Sequence, residues 1–268
     1  MTLQGEPVHT DGEAYERFMG RWSRRLAPVF LEFVGVHDGQ SVLDVGSGTG
    51  SVAGAVLSTS QTSRVMGIDA SAEYIALAGE RLRSERVTFE QGDAQRLRFP
   101  HASFDRTLCL LVLNFIPDAA AALREMIRVT KPGGVVAAAV WDYGDGMEML
   151  RFFWDEAIAL DPASDGRHER HMPFSRQGEL TRLWRESGLA DVHETPLTIP
   201  LDFAAFDDYW TSFLGRQGPA GAYVSTLPDD HRSQLEHRLR TRLIGAAEDR
   251  RIHLSARAWA VKGTVMVS

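Results

Sequence analysis

The chain has 268 residues, of which 44% are hydrophobic and 24% charged, with a net charge of −7. That is enough apolar chain for one enlarged α/β domain or a core with a subdomain, and the negative balance argues against a nucleic-acid groove. A single cysteine, Cys109, excludes intrachain disulfides, cysteine-rich zinc sites and Cys-x-x-Cys redox chemistry. No apolar run reaches the roughly 18 residues of a membrane-spanning helix, and the start MTLQGEPVHTDGEAYERF lacks a signal-peptide core, so no membrane association and a cytoplasmic location are expected.

In chain order, residues 13–34 have a helical pattern interrupted at Gly20 and Pro28, with Tyr15, Phe18, Met19 and Trp22 closely spaced. Such a stripe is ordinarily packing. Residues 42–45 (VLDV) form the near-continuous apolar run of a strand covered on both faces, and they break into Gly46-Ser47-Gly48-Thr49-Gly50. Glycines admit positive φ and close approach to the main chain, and the helical spacing of residues 51–58 aims its first amides back at the loop. A second strand over 64–68 ends at Asp69, 19 residues after Gly50, where a carboxylate can accept both hydroxyls of a ribose. An amphipathic helix over 72–83 follows, and then a third strand over 87–91 leading to Gly92-Asp93-Ala94.

A fourth strand spans 104–110, a helix 119–129 and a fifth strand 134–140, with Lys131-Pro132-Gly133-Gly134 ending the helix. This alternation predicts a parallel sheet with helices on both faces. Beyond it, the turn-rich link 141–146 enters a helix over 147–160, a polar loop over 161–173 and a helix over 177–187 stopped by Gly188. A sixth strand over 192–201 precedes an insertion containing 206–214, the turn 215–219 and a helix near 230–243. The segment 254–265 alternates as a closing strand. The basic stretch 231–242 is interleaved with Glu236 and reads as a solvated helix face.

The glycine loop departs from the dinucleotide fingerprint G-x-G-x-x-G. Gly46, Gly48 and Gly50 give G-x-G-x-G, Ser51 takes the last position, and Asp44 precedes the first glycine by two. Four stretches in order, 42–50, 65–71 (VMGIDAS), 91–94 and 104–117 with Lys131-Pro132-Gly133-Gly134 after it, resemble the class I S-adenosylmethionine-dependent methyltransferases. The likeness is to their small-molecule type 11 branch, which includes quinone-biosynthesis enzymes. The resemblance covers residues 40–141. It implies a doubly wound, Rossmann-like α/β sheet of seven strands, mostly parallel with the last antiparallel, carrying a helical N-terminal lid and helical insertions near the C-terminal strands. The division it implies is a lid over 1–38, a cofactor-binding core over 39–145, and roof helices plus closing strands over 146–268.

By the same resemblance Asp44 and the loop Gly46, Ser47, Gly48, Thr49 and Gly50 hold the methionine end of S-adenosylmethionine. Asp69 takes the ribose, Asp93 and Ala94 meet the adenine, and Tyr74 lies against its ring. Ala70, Ser71, Gly92, Leu110, Leu111 and Phe115 belong to the same cofactor set, and Tyr15, Met19 and Trp22 are lid candidates. Taken singly, the glycines also suit a tight turn and Asp69 or Asp93 a helix cap. Acids at the ends of successive parallel strands are what turn the set toward a cofactor.

A sulfonium donor is already activated, so positioning the acceptor supplies most of the catalysis and a base is needed only where the acceptor must lose a proton. Candidates for that role are Asn114, Asp142, Tyr143 and His168 or His171, both histidines being expected at a loop surface. No metal is expected: His168-x-x-His171 with Asp161 or Asp165 lacks a helical frame and a clear third ligand, and Leu111-Val112-Leu113-Asn114 supplies no acid. The expected function is methyl transfer from S-adenosylmethionine, leaving S-adenosylhomocysteine, to an O, N or C atom of a small, partly hydrophobic acceptor, by a monomer or homodimer. Alternatives are a non-methylating enzyme using the same cofactor and a non-catalytic ligand-binding protein.

Overall fold

The computed structural model describes residues 12–245 and 249–267, and its organising element is one seven-stranded sheet. The strands are β1 (Ser41–Val45), β2 (Arg64–Asp69), β3 (Val87–Gln91), β4 (Phe104–Leu110), β5 (Thr130–Trp141), β6 (Ala190–Phe203) and β7 (Ile252–Thr264), in the order β3-β2-β1-β4-β5-β7-β6. The first five pair in parallel and β7 runs antiparallel to β5, as expected. The helices are α1 (Gly12–Tyr15), α2 (Arg21–Val34), α3 (Ser51–Thr59), α4 (Ala72–Arg81), α5 (Ala119–Val129), α6 (Glu148–Leu160), α7 (Glu179–Glu186), α8 (Phe206–Trp210), α9 (Gly218–Thr226) and α10 (Asp229–Ile244). Strand order runs outward from β1 through β2 to β3, then restarts on the other side of β1 at β4. The C-terminal ends of β1 and β4 therefore flank the switch point where open α/β sheets bind ligands.

The described residues form two compact units. One comprises residues 22–141, 173–197 and those from Ala258 onward; the other comprises residues up to Arg21, 142–172 and 198–257. The first holds the parallel strands, whose apolar runs are buried on both faces: Val42, Leu43, Val45, Leu108, Cys109 and residues 136–140 are all inaccessible to solvent. Trp184 of α7 donates its indole N–H to the Val136 carbonyl at 3.1 Å, and a Cβ on Gly263 of β7 would come within 3.0 Å of the same ring, so glycine is what lets this helix close on the sheet. On the edge strand β6, Pro196 and Pro200 have the same parity and remove two N–H groups that would otherwise invite further pairing.

Two local expectations change. The helical segment breaks at Gly20, where a π-helical turn (Glu16–Gly20) meets α2, yet α2 runs through Pro28. Pro28 lies on the exposed outer face, where the carbonyl deprived of a partner can be hydrated. Lys131-Pro132-Gly133-Gly134 does end α5, but as an irregularity within β5 and not as a loop before it. Phe104 pairs with Thr130 and Arg106 already with Val135, so four residues bulge out, secured by Gly133 at φ +76° and a Lys131–Asp105 ion pair of 2.8 Å.

The second unit is built around aromatic rings. Phe153 stacks on Phe213 at 4.5 Å, Tyr209 and Phe18 meet Phe213 edge-on at 5.2 and 6.1 Å, and Trp154 stacks on His168 at 5.4 Å. Residues 161–173 are not simply a polar surface loop. Two 3₁₀ turns (Pro162–Arg167 and Glu169–His171) bury His168 and Glu169, because the Trp154 ring and indole N–H give a ring and a carboxyl their partners. The expected turn over 215–219 leads directly into a helix that the sequence reading does not include, α9, with Pro219 in its first turn. The basic stretch on α10 is partly paired rather than merely solvated: Arg242 reaches Asp155 at 2.8 Å and Arg238 reaches Glu156 at 2.8 Å on α6.

Candidate functional site

The site begins with three left-handed glycines. Gly46, Gly48 and Gly50 have φ of +72°, +52° and +86°, a conformation that costs any other residue strain. Two are also sterically pinned: a Cβ on Gly46 would lie 2.6 Å from the Val112 side chain, and one on Gly50 would lie 2.7 Å from Leu82. Around Gly48 no atom of the described residues, its chain neighbours aside, lies within 4 Å of such a Cβ, so at this turn their main chain is open to a neighbouring group. The amides of Gly46 and Ser47 both donate to the Ile68 carbonyl at 2.8 Å, tying the loop to β2, and Gly50 begins α3.

Asp69, at the end of β2, braces that loop. Its Oδ2 accepts the Gly48 N–H and its Oδ1 the Ser71 N–H, each at 2.9 Å, while burial pushes its carboxyl above the usual range. The Ala70 amide bonds to the same carboxyl, and with about four lone-pair sites a carboxylate then still has acceptor capacity for a hydroxyl. Ala70 is held by Gln91, which donates to its carbonyl at 2.9 Å, and Ser71 caps α4 by accepting the Tyr74 N–H at 3.2 Å; the Tyr74 ring is half-buried. Past β3, Gly92 bonds to the Asp69 carbonyl at 2.9 Å, and Asp93 is exposed, its Oδ1 taking the Gln95 amide at 2.8 Å beside Ala94.

Asp44 differs from its neighbours. It is 1% exposed within β1, and it accepts the Ala53 N–H, yet its Oδ2 has no partner among the described residues; the same holds for the Ser47 hydroxyl beside it. Burial and the nearby charge of Asp69 push the Asp44 carboxyl up to about 8. Buried polar atoms are almost always bonded, so two neighbouring exceptions at a glycine turn fit a polar ligand group that completes them.

The end of β4 supplies the opposite wall. Leu111 is buried with φ +64°, a strained value for a γ-branched side chain, and its N–H bonds to the Ala139 carbonyl at 2.8 Å. This reversal follows Leu110, delivers Val112 to Gly46, and is followed by buried Asn114 and by Phe115, which is 53% exposed. Val112 is the participant that reading the sequence missed, since an isolated valine after a strand carries no signal. Thr49 is buried beside Gly50.

The glycine loop, Asp44, Asp69 to Ser71, Tyr74, Gly92 to Ala94, Leu110, Leu111, Asn114 and Phe115 thus share one unit, to which Trp22 also belongs as a residue 1% exposed in the packed face of α2. Tyr15, Met19, Tyr143 and His171 belong to the other. There Met19 and Tyr143 are buried, Tyr15 is half-buried, and His171 is exposed with its Nε2 3.9 Å from Asp165. Asp142 in that unit is taken up by an ion pair with Arg257 at 2.5 Å. Among the described residues no group of three or more metal-ligating side chains is gathered, and no helix is long and apolar enough to cross a membrane.

Comparison with known proteins bears on the family and the fold. The type 11 family model described as "Methyltransferase domain" matches residues 43–138. A 2-methyl-6-phytyl-1,4-hydroquinone methyltransferase of Synechocystis is 31% identical over 185 residues, 67% of this chain and 56% of that protein. The chain therefore spans little more than half the length of that relative. Among solved structures, the Haloferax volcanii complex of the Trm112 methyltransferase activator with a putative methyltransferase contains a chain that matches 98% of this one and 99% of itself. Its TM-score is 0.60 at 21% identity. The Haemonchus contortus phosphoethanolamine N-methyltransferase 2, solved with S-adenosyl-L-methionine, matches 96% of this chain and 57% of its own at a TM-score of 0.59 and 19% identity. At these identities the structures share the fold.

Proposed function

We propose that this chain, whose residues 43–138 are a methyltransferase domain of the type 11, class I S-adenosylmethionine-dependent family, transfers a methyl group to a small, partly apolar acceptor. The observation that carries the reading is the pair of carboxyls around the glycine turn. Asp69 is anchored by the amides of Gly48, Ser71 and Ala70 with acceptor capacity to spare, and Asp44 has a buried oxygen left for a ligand. The cofactor would be held at its amino-acid end by Asp44 against the glycine loop, at its ribose by Asp69, and at its base by the segment from Gly92 to Ala94 beside Tyr74. When bound, it supplies an electrophilic methyl carbon that needs no further activation.

The chain's own contribution is placement. The left-handed glycines let a ligand approach the main chain closely, and the Leu111 reversal sets Asn114 and Phe115 at the end of β4, next to the switch point. Asn114 is neutral at any pH, so it suits orienting an acceptor by hydrogen bonding and does not suit removing a proton. Exposed Phe115 offers a face to an aromatic or isoprenoid acceptor. A hydroquinone-type ring is the acceptor class favoured, supported by the named activity of the Synechocystis relative.

Isothermal titration tests the reading directly. S-adenosylmethionine and S-adenosylhomocysteine are expected to bind with roughly micromolar affinity, about −8 kcal/mol, and NAD not at all. Asp69→Ala is expected to weaken both by more than about tenfold, since charge-assisted bonds to ribose are worth about 1.5–3 kcal/mol. Unchanged affinity in that variant overturns the assignment of Asp69. Transfer of a radiolabelled methyl group to a hydroquinone then separates methylation from another use of the sulfonium.

A further inference from the structure

The unpartnered oxygen of Asp44 raises a question of charge. A carboxylate this deeply buried is costly unless every lone pair is met, and Asp44 has only the Ala53 amide. The groups facing it come from three elements. From β2 there is Asp69, a second acid. From β4 there is Cys109, whose thiol burial pushes up to about 12, so that it carries no charge. From α3 there is the main-chain amide of Ala53. Among the described residues no basic side chain acts on Asp44. With repulsion on one side and no cation on any other, the ligand-free site is stable with a proton on Asp44 and not with two anions.

We propose, on the reading that this loop holds S-adenosylmethionine, that Asp44 is a protonated carboxylic acid in the free protein and exchanges its proton for the cofactor's ammonium group on binding. The O–H bond of Asp44 breaks, its electron pair stays on the oxygen, and the proton passes to the buffer. The ammonium keeps its three protons and pairs with the new carboxylate. Cofactor uptake is then linked to pH. Below the Asp44 pKa of about 8, each unit of acidification lowers the apparent affinity about tenfold. Asp69 meets the ribose, so its share of any linkage belongs equally to a ligand that has only the nucleoside.

That distinction sets the experiment. The full chain is titrated calorimetrically between pH 6 and 7, in pairs of buffers with different ionisation enthalpies, with S-adenosylmethionine, S-adenosylhomocysteine and 5′-methylthioadenosine, which lacks the amino-acid end. The two amino-acid ligands are expected to release about 0.9 proton each at pH 7 and to gain about tenfold in affinity from pH 6 to 7. Methylthioadenosine is expected to bind with little proton release and little pH dependence. Asp44→Asn is expected to remove the release and flatten the profile. Binding of the amino-acid ligands with no proton released, or with a release that methylthioadenosine matches, overturns the exchange while leaving the cofactor reading intact. Absence of binding by all three overturns both. The proton count on the unaltered protein needs no variant to fold.

Discussion

Among the described residues, the most deeply buried carboxyls of the two units are treated in opposite ways. Glu169, in the helical unit, is 2% exposed and has both oxygens occupied: the Trp154 indole N–H donates to Oε2 and the Ala220 N–H at the start of α9 donates to Oε1 at 3.1 Å. Asp44, in the sheet unit, has one oxygen occupied and one not. Burial raises both pKa values, to about 7 and about 8. An acid that staples a core is fully bonded within the chain, whereas on the cofactor reading Asp44 keeps a bonding deficit for its ligand to fill.

The same change made at both positions puts this contrast to a direct test. In Glu169→Gln, whichever way the amide is turned, its NH₂ faces an N–H donor. One buried bond is lost and a donor is left unmet, at a cost of about 2–3 kcal/mol. In Asp44→Asn the amide oxygen can keep the Ala53 bond, and the second atom had no partner to lose, so the ligand-free protein is expected to stay within about 1 kcal/mol of the parent. Urea unfolding of the two variants at pH 7 decides it. Equal losses would mean that Asp44 is as structural as Glu169.

A second pair works within the glycine loop. Gly46→Ala combines left-handed strain with an overlap against Val112 at 2.6 Å, for an expected loss of about 2–4 kcal/mol. Gly48→Ala meets only the strain, about 1–2 kcal/mol, because nothing stands near its added methyl. On the cofactor reading the ranking for ligand affinity is different: Gly48→Ala, which points into the open turn, is expected to lose binding out of proportion to its stability. Thermal unfolding and titration, run side by side, separate the two quantities. A Gly48→Ala protein that binds normally would remove the turn from the site.

The same contrast explains what was legible in the sequence. The parallel core is written in repeating local signals: two-sided apolar runs for β1 and β4, amphipathic spacing for α5, and a chain-breaking Lys131-Pro132-Gly133-Gly134 beyond it. Asp44 and Asp69 were visible because the glycines around them fix their distance from a main-chain ligand site. Glu169 was not, because it lies in a stretch rich in Asp, Arg and His whose burial depends on Trp154, fifteen residues away. Nothing local distinguishes a carboxyl that will find an indole from one that will face water. Pro28 misled for a related reason, since a proline signal says that a carbonyl loses its donor but not whether that carbonyl faces solvent.

Leu111 gives the smallest expected effect and separates backbone from side chain. Truncating it to Ala or to Gly removes nearly the same buried volume, so the difference between the two variants reports the main chain alone. At an ordinary strand position Gly is less stable than Ala by roughly 0.5–1 kcal/mol, because it has more freedom to lose. At φ +64° the order is expected to invert, with Leu111→Gly more stable than Leu111→Ala by about 1 kcal/mol, the strain that a Cβ adds in the left-handed region. Chemical denaturation of the pair measures the inversion. If Ala proves the more stable, the reversal after β4 is relaxed in solution, and the step that brings Val112 against Gly46 is then carried by side-chain packing and not by a strained turn.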